Sequence, residues 1–224
     1  MKILYLSHIL SIHDSRFLEK LSSSNHDVLL VAVDNSNIPE SISSINGLKC
    51  VTIPRPIPGH DYKFYFSFNS IIIAFRHKIY RVLEKFAFVK KLFNKRTLLS
   101  HEEFRFLFYS KKLSQIIKKF KPEVVQAGWV QLDGLVAALT GFKPVLLWPW
   151  GSDILIHPFK DEQTMLQTKY VIEQASHIYC DCEEVKKTIL KIKDFDAEKI
   201  SVFTFGIDLE MFNTHRTKPE IINR

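Results

Sequence analysis

The run Val145-Leu146-Leu147-Trp148-Pro149-Trp150-Gly151-Ser152-Asp153 restricts what this chain can fold into more than any other stretch. Its apolar residues stop abruptly at Pro149 and Gly151 and hand over to a hydroxyl and a carboxylate. A short apolar run bounded by breakers reads as a strand buried on both faces, the kind that parallel sheets use. In open α/β sheets the ligand crevice lies just outside the carboxyl ends of the strands. Trp150, Gly151, Ser152 and Asp153 then stand at the mouth of such a crevice. The plainer alternative is that Gly151 lets the chain turn and Asp153 caps the next helix.

Strands and helices alternate on both sides of this run. Ile3 to Ser7 reads as a first strand, followed by a loop through His13 and a helix that Asp14 can cap. In that helix Phe17, Leu18 and Leu21 recur at helical spacing. Val28 to Val33 closes a β-α-β unit, and Leu48 to Ile53 follows the Asn46-Gly47 turn as a third strand. Further on, Ser100-His101-Glu102-Glu103 is a capping box for a helix to about Lys119. Strand Val124 to Ala127, helix Asp133 to Leu139, the Val145 to Trp148 strand and a helix over Glu162 to Gln174 come next. Strand His177 to Cys182, helix Glu183 to Lys191 and strand Ile200 to Phe203 complete the series. The expected class is α/β: a Rossmann-like, mostly parallel sheet with helices on both faces.

One segment breaks the alternation. Lys63 to Arg96 interleaves nine aromatic residues, among them Phe64, Phe75, Tyr80 and Phe86, with Arg76, Lys78, Arg81, Lys85, Lys90 and Lys91. Ile72, Phe75, Val82, Phe86 and Val89 fall at three-, four- and seven-residue intervals, which predicts a basic amphipathic helical insertion. Such a helix binds an anionic membrane surface by burying its apolar face while Lys and Arg meet acidic headgroups. The alternative is an inserted helix packed on the sheet with a solvated basic face. No nucleic-acid-binding module surrounds it, and nucleic acid is not an expected partner. The formal charge of +7 favours anionic partners without choosing among them.

Other classes fall away. No glycine lies between Met1 and Asn46, so the glycine-lined turn of a dinucleotide site is absent after the first strand. Cys50, Cys180 and Cys182 form neither a disulfide framework nor a zinc pattern and read as buried apolar residues in a reducing cytosol. No Asp-x-Asp is present to hold a divalent cation, and no metal is expected. The short apolar start reads as a strand and not a signal peptide, and no run approaches the roughly 18 residues of a spanning helix.

Four motifs in order carry a family resemblance. His13 with His26-Asp27-Val28 matches an "H…L…L…GHEV" start, and Lys121-Pro122-Glu123-Val124-Val125 matches "(K)PDVIH". Trp150-Gly151-Ser152-Asp153 is similar to the "HGSD" loop, and Lys199 to Phe212 to "KIxVIPNGVDxxxF". Together they resemble the N-terminal domain of family 4 glycosyltransferases of the GT-B fold. The resemblance implies a 1–212 acceptor-binding domain, containing the 63–96 insertion. Residues 213–224 are then a hinge or tail toward a donor-binding C-terminal domain that this chain lacks. It implies retaining transfer from a nucleoside-diphosphate sugar without a permanently bound cofactor, to a lipid-linked or glycan acceptor in lipopolysaccharide, capsule or other surface glycan synthesis. The implied location is cytoplasmic, peripheral on the inner face of the membrane. The alternative is a non-catalytic membrane-associated subunit or binding module that needs a separate donor-binding chain.

Three departures accompany the resemblance. The glycine-rich first loop is here Ser7-His8-Ile9-Leu10-Ser11, the histidine of the "HG" loop is Trp150, and the histidine ending the fourth strand's motif is Gln126. Asp153 is the expected catalytic group beside the acceptor hydroxyl. Its replacement by Ala in a full-length version is expected to lower turnover far more than stability. Ser7, His8, His13, Arg16, Gln126, Trp129, Trp150, Gly151 and Ser152 are expected to line the cleft, and Gly206 and Asp208 to shape the hinge.

Overall fold

The computed structural model describes residues 1–56, 104–204 and Gly206. The 63–96 insertion, its basic residues, the Ser100–Glu103 capping box and Asp208 lie outside the described residues. Seven strands form one sheet: β1 (Lys2–Ser7), β2 (Asp27–Val33), β3 (Lys49–Ile53), β4 (Val124–Ala127), β5 (Val145–Leu147), β6 (His177–Cys180) and β7 (Ile200–Val202). Every pairing is parallel, in the spatial order β3-β2-β1-β4-β5-β6-β7. The mostly parallel sheet expected from the sequence is wholly parallel among the described strands.

Period-two alternation explains the two-sided core. Leu4 and Leu6 of β1 join Leu29, Val31 and Val33 of β2 on one face. Tyr5, Val28, Leu30 and Ala32 point to the other, where Leu18 and Ile42 cover them from helices Ile12–Ser23 and Glu40–Ser43. Helices Phe104–Phe120, Leu135–Leu139, Glu162–Gln174 and Glu183–Ile192 cover the first face through Tyr109, Leu113, Leu135, Ile172 and Ile189. A strand buried on both sides must be apolar at every position, which is why β1 and β2 read as continuous runs.

Two local differences from the sequence reading bear on the crevice. Helix Ile12–Ser23 is capped by Ser11, whose side chain accepts from the backbone N–H of His13 and Asp14; Asp14 is the reciprocal residue of the capping box and not the cap. The stretch expected to begin a helix at Asp133 instead opens as a π-turn, Val130–Gly134, before helix Leu135–Leu139. Gly134 lets this turn pack closely on the core: a Cβ there would lie 2.8 Å from Val171 Cγ1 and 2.9 Å from Leu147 Cδ1.

Candidate active site

The direction of chain progression reverses at β1, which is hydrogen-bonded to β2 on one side and β4 on the other. This is the topological switch point, the position at which open α/β sheets place their ligand crevice. The loop after β1 is held by three contacts. The Leu10 N–H donates to Ser7 Oγ at 3.3 Å, Asn35 Nδ2 donates to the His8 carbonyl at 2.7 Å, and Ser11 begins the next helix. Ser7 is 2% exposed, so its hydroxyl serves this turn and is not a ligand to the crevice.

His8 reaches from this loop to the turn after β4, where its Nδ1 lies 3.0 Å from Asp133 Oδ2. The His8 side chain keeps 22% of its surface exposed while that of Asp133 keeps 2%. Burial opposes a charge on His8, but the hydrogen bond and the negative charge of Asp133 outweigh it and raise the imidazole pKa. Burial raises the Asp133 pKa, with His8 pulling the other way. Asp133 Oδ1 is buried with no hydrogen-bond partner among the described residues.

Aromatic rings frame the pair. His8 meets Trp129 edge-on with centroids 6.1 Å apart, and Trp129 meets His157 at 5.1 Å. Trp150 receives His13 edge-on at 5.7 Å and lies 6.4 Å from Trp148, which in turn packs on Phe17 at 4.0 Å. Gly128 lets this wall close: a Cβ at that position would lie 2.9 Å from Trp150 Nε1 and 3.6 Å from Asp133 Oδ2.

Asp153 is fully buried in the first turn of helix Ser152–Leu155. Its Oδ1 accepts the Trp150 N–H at 2.8 Å and its Oδ2 the Val130 N–H at 3.0 Å. Burial raises its pKa to about 6 against the pull of these backbone donors. This carboxylate fastens the loop after β5 to the turn after β4 and presents no surface to the crevice, so the expectation of a group beside the acceptor hydroxyl does not fit its placement. Gly151, at φ +97, sits in the region that favours glycine and lets the chain double back toward Asp153.

The remaining expected residues divide. His13, Trp129, Trp150 and His8 converge on the crevice, and Ser152 begins the helix at its edge. Arg16 is exposed on helix Ile12–Ser23. Gln126 lies within β4, paired in register with Tyr5 and Leu146, on the sheet face and not at the mouth. Gly206 is exposed, with no described atom within 4 Å of the position that a Cβ would take. Sequence reasoning missed Asp133 and His157. Asp133 carried one usable signal: an acid a few residues beyond the strand that the topology places beside β1. Among the described residues there is no group of three His, Cys, Asp or Glu side chains able to hold a metal.

Residues 78–182 match the family model described as glycosyl transferase 4-like. The match covers just under half of the chain. The matched region spans β4, the π-turn with Asp133, and the loop with Asp153, so the crevice is built largely from it. No curated protein matches the chain. Among solved structures it is similar to HepE from Anabaena in complex with UDP, at 13% identity and TM-score 0.55, covering 99% of this chain and 48% of that one. It is similar to a glycosyltransferase from Rickettsia africae at 12% identity and TM-score 0.55, covering 99% of this chain and 47% of that one. A UDP-GlcNAc 2-epimerase from Neisseria meningitidis bound to UDP-GlcNAc gives 14% identity and TM-score 0.53, covering 90% of this chain and 45% of that one. At these identities the likeness is one of fold: this chain has the Rossmann-like α/β architecture of these proteins and spans about half their length.

Proposed function

We propose that this chain is the acceptor-binding half of a glycosyltransferase that takes a sugar from a nucleoside-diphosphate donor and passes it to a surface-glycan acceptor, lipid-linked or free. The observation that carries this reading is the aromatic-walled crevice at the β1/β4 switch point, lined largely by the glycosyl transferase 4-like segment. Flat apolar rings with a polar floor suit a sugar, whose C–H faces stack on indole while its hydroxyls take hydrogen bonds. The His8–Asp133 pair is that floor, and His13 and His157 stand against the two indoles. The fold likeness to HepE, whose structure holds UDP, supports donor use.

The donor-binding surface belongs, in this proposal, to a second domain or a separate chain facing the crevice. This half positions the acceptor, and the facing half holds the diphosphate as it leaves. Retention of anomeric configuration, absence of a metal and work at the inner face of the cytoplasmic membrane complete the proposal, the last through Arg76, Lys78, Arg81, Lys85, Lys90 and Lys91. No described helix is long and apolar enough to cross a membrane.

The test is transfer from radiolabelled UDP-sugars to membrane glycolipids by this chain co-purified with the product of its neighbouring gene. Acceptor-dependent incorporation of label supports the proposal. A stable complex that binds the nucleotide-sugar yet transfers nothing favours the non-catalytic subunit instead. Co-sedimentation with acidic but not neutral vesicles, lost at high salt, tests the membrane contact.

A further inference from the structure

Among the described residues seven large apolar side chains are exposed, and three of them stand within five consecutive residues: Leu155 at 38%, Ile156 at 56% and Phe159 at 60%. They belong to helix Ser152–Leu155, the residue after it and the 3₁₀ turn His157–Phe159, directly beyond the loop that carries Trp150. Local structure holds them outward. Ile154 and Pro158, interspersed with them, are buried and fix which side of the segment faces the core. Their backbone N–H groups are spent nearby: Leu155 donates to the Gly151 carbonyl at 2.8 Å, Ile156 to that of Ser152 at 3.0 Å and Phe159 to that of Ile156 at 3.2 Å. This ledge therefore offers apolar side chains and no backbone donor from these three residues. Exposed Lys160, Asp161 and Glu162 follow it. An apolar cluster rimmed by polar residues marks a contact surface.

We propose that this ledge carries the hydrocarbon chain of a lipid-linked acceptor whose sugar lies in the crevice; this rests on the glycosyl-transfer reading above and selects the lipid-linked acceptor over the free one. Two observations choose the occupant. The first is continuity with the crevice. His157, between Ile156 and Phe159, meets Trp129 edge-on at 5.1 Å. His8 meets the same indole at 6.1 Å, and Ile9, next to it, is 41% exposed. Exposed apolar side chains thus adjoin in sequence both histidines that flank the Trp129 ring, and a chain leaving a sugar stacked there passes onto them. A hydrocarbon forms no hydrogen bonds, so a surface that offers no free backbone donor suits it and leaves no polar group stranded. The second observation is where the basic segment is rooted. Asp34, just past the carboxyl end of β2, accepts from Arg55 Nε and from the Tyr109 hydroxyl, each at 2.7 Å. Arg55 precedes the Lys63 to Arg96 segment and Tyr109 follows it, so both roots of that segment lie at the carboxyl end of the sheet, where the crevice and the ledge stand. The basic residues proposed to meet acidic headgroups are therefore joined to the end of the domain that a membrane-anchored acceptor has to reach.

The experiment compares, in the complex that transfers sugar, membrane glycolipid with the same glycan freed of its lipid by mild acid, both in the same detergent. The variant is Ile156→Ser with Phe159→Ser; both side chains are exposed, and circular dichroism establishes that it folds. The wild type is expected to favour the glycolipid in kcat/KM by about 10²-fold, and the variant to lose about tenfold or more of that preference, the effect of taking two large apolar contacts from a hydrocarbon. A wild type indifferent to the lipid, or a preference that survives in the variant, overturns the inference; if that variant has also lost co-sedimentation with acidic vesicles, the ledge touches the bulk membrane and not the acceptor. An equal fall on both substrates, or release of the donor-binding chain on gel filtration, overturns it as well and makes the ledge part of the interface with that chain. Each of these results leaves the glycosyl-transfer reading standing. Absence of transfer by the wild-type complex overturns both.

Discussion

Asp153 Oδ2 accepts the Val130 N–H at 3.0 Å, across a separation of 23 residues, and so joins the loop after β5 to the turn after β4. The other oxygen takes the Trp150 N–H. One fully buried carboxylate therefore sets the relative position of the two segments that carry Trp150 and Asp133.

Asp153→Ala should destabilise the domain by about 2 kcal/mol or more, since an orphaned buried N–H costs roughly 1–3 kcal/mol and two are left without their acceptor. Asp153→Asn keeps one acceptor oxygen but turns its NH2 toward the other backbone N–H, so it loses one of the two bonds and should cost less than Asp153→Ala only by the bond that it retains. Urea unfolding of the two variants checks this order. Turnover measured beside stability separates this structural effect from the catalytic role expected of Asp153.

Stability should fall as pH rises from about 4 to about 6. Asp153 has a pKa raised from 3.8 to about 6 in the folded chain, so the unfolded state gives up its proton first. The loss across that window is of order 3 kcal/mol for this group. Asp133 is raised for the same reason and acts with the same sign. His8, raised by Asp133, adds stability that is complete below its unfolded pKa and is lost as pH rises through the folded one. Thermal unfolding from pH 4 to 8 should show this decline, and Asp153→Asn should flatten its acidic part.

Gly128→Ala should displace Trp150, because the new methyl would lie 2.9 Å from its indole nitrogen. Overpacking of this kind costs typically about 1–3 kcal/mol, and the part-exposed ring can yield, which places this site at the low end. Gly134→Ala meets Val171 and Leu147 in the core instead and should reach the upper end of the same range. Parallel denaturation curves test the ranking.

Ser11→Ala removes the oxygen that caps helix Ile12–Ser23 and should cost about 1 kcal/mol. Because Ser11 also terminates the loop carrying His8, amide exchange in residues 8–14 should quicken more than in β1.

The sheet could be read from the chain because its strands are apolar on both faces and its breakers stand where the strands end. Helix Glu162–Gln174 begins and ends where its spacing predicts, since Asp161 supplies a cap that local sequence displays. The crevice was only partly legible. His8, His13, Trp129 and Trp150 follow from strand ends, a local property. The partnership of His8 with Asp133 joins residues 125 apart and depends on β4 lying beside β1, which no local pattern states. The π-turn hid Asp133 within an apparent helix start, and the burial of Asp153 arises from contact with that same turn.

The most direct test uses the tryptophans, of which the chain has three, Trp129, Trp148 and Trp150, all beyond the carboxyl ends of β4 and β5. Fluorescence excited selectively at tryptophan therefore reports this end of the sheet. Titration with a polyprenyl-diphosphate-linked disaccharide and with short surface oligosaccharides should give a saturable change for at least one acceptor, weakened in Gly128→Ala, where Trp150 is displaced. A signal that stays flat with every glycan, while the co-purified complex still transfers sugar to membrane glycolipid, would contradict the assignment of this crevice as the acceptor site.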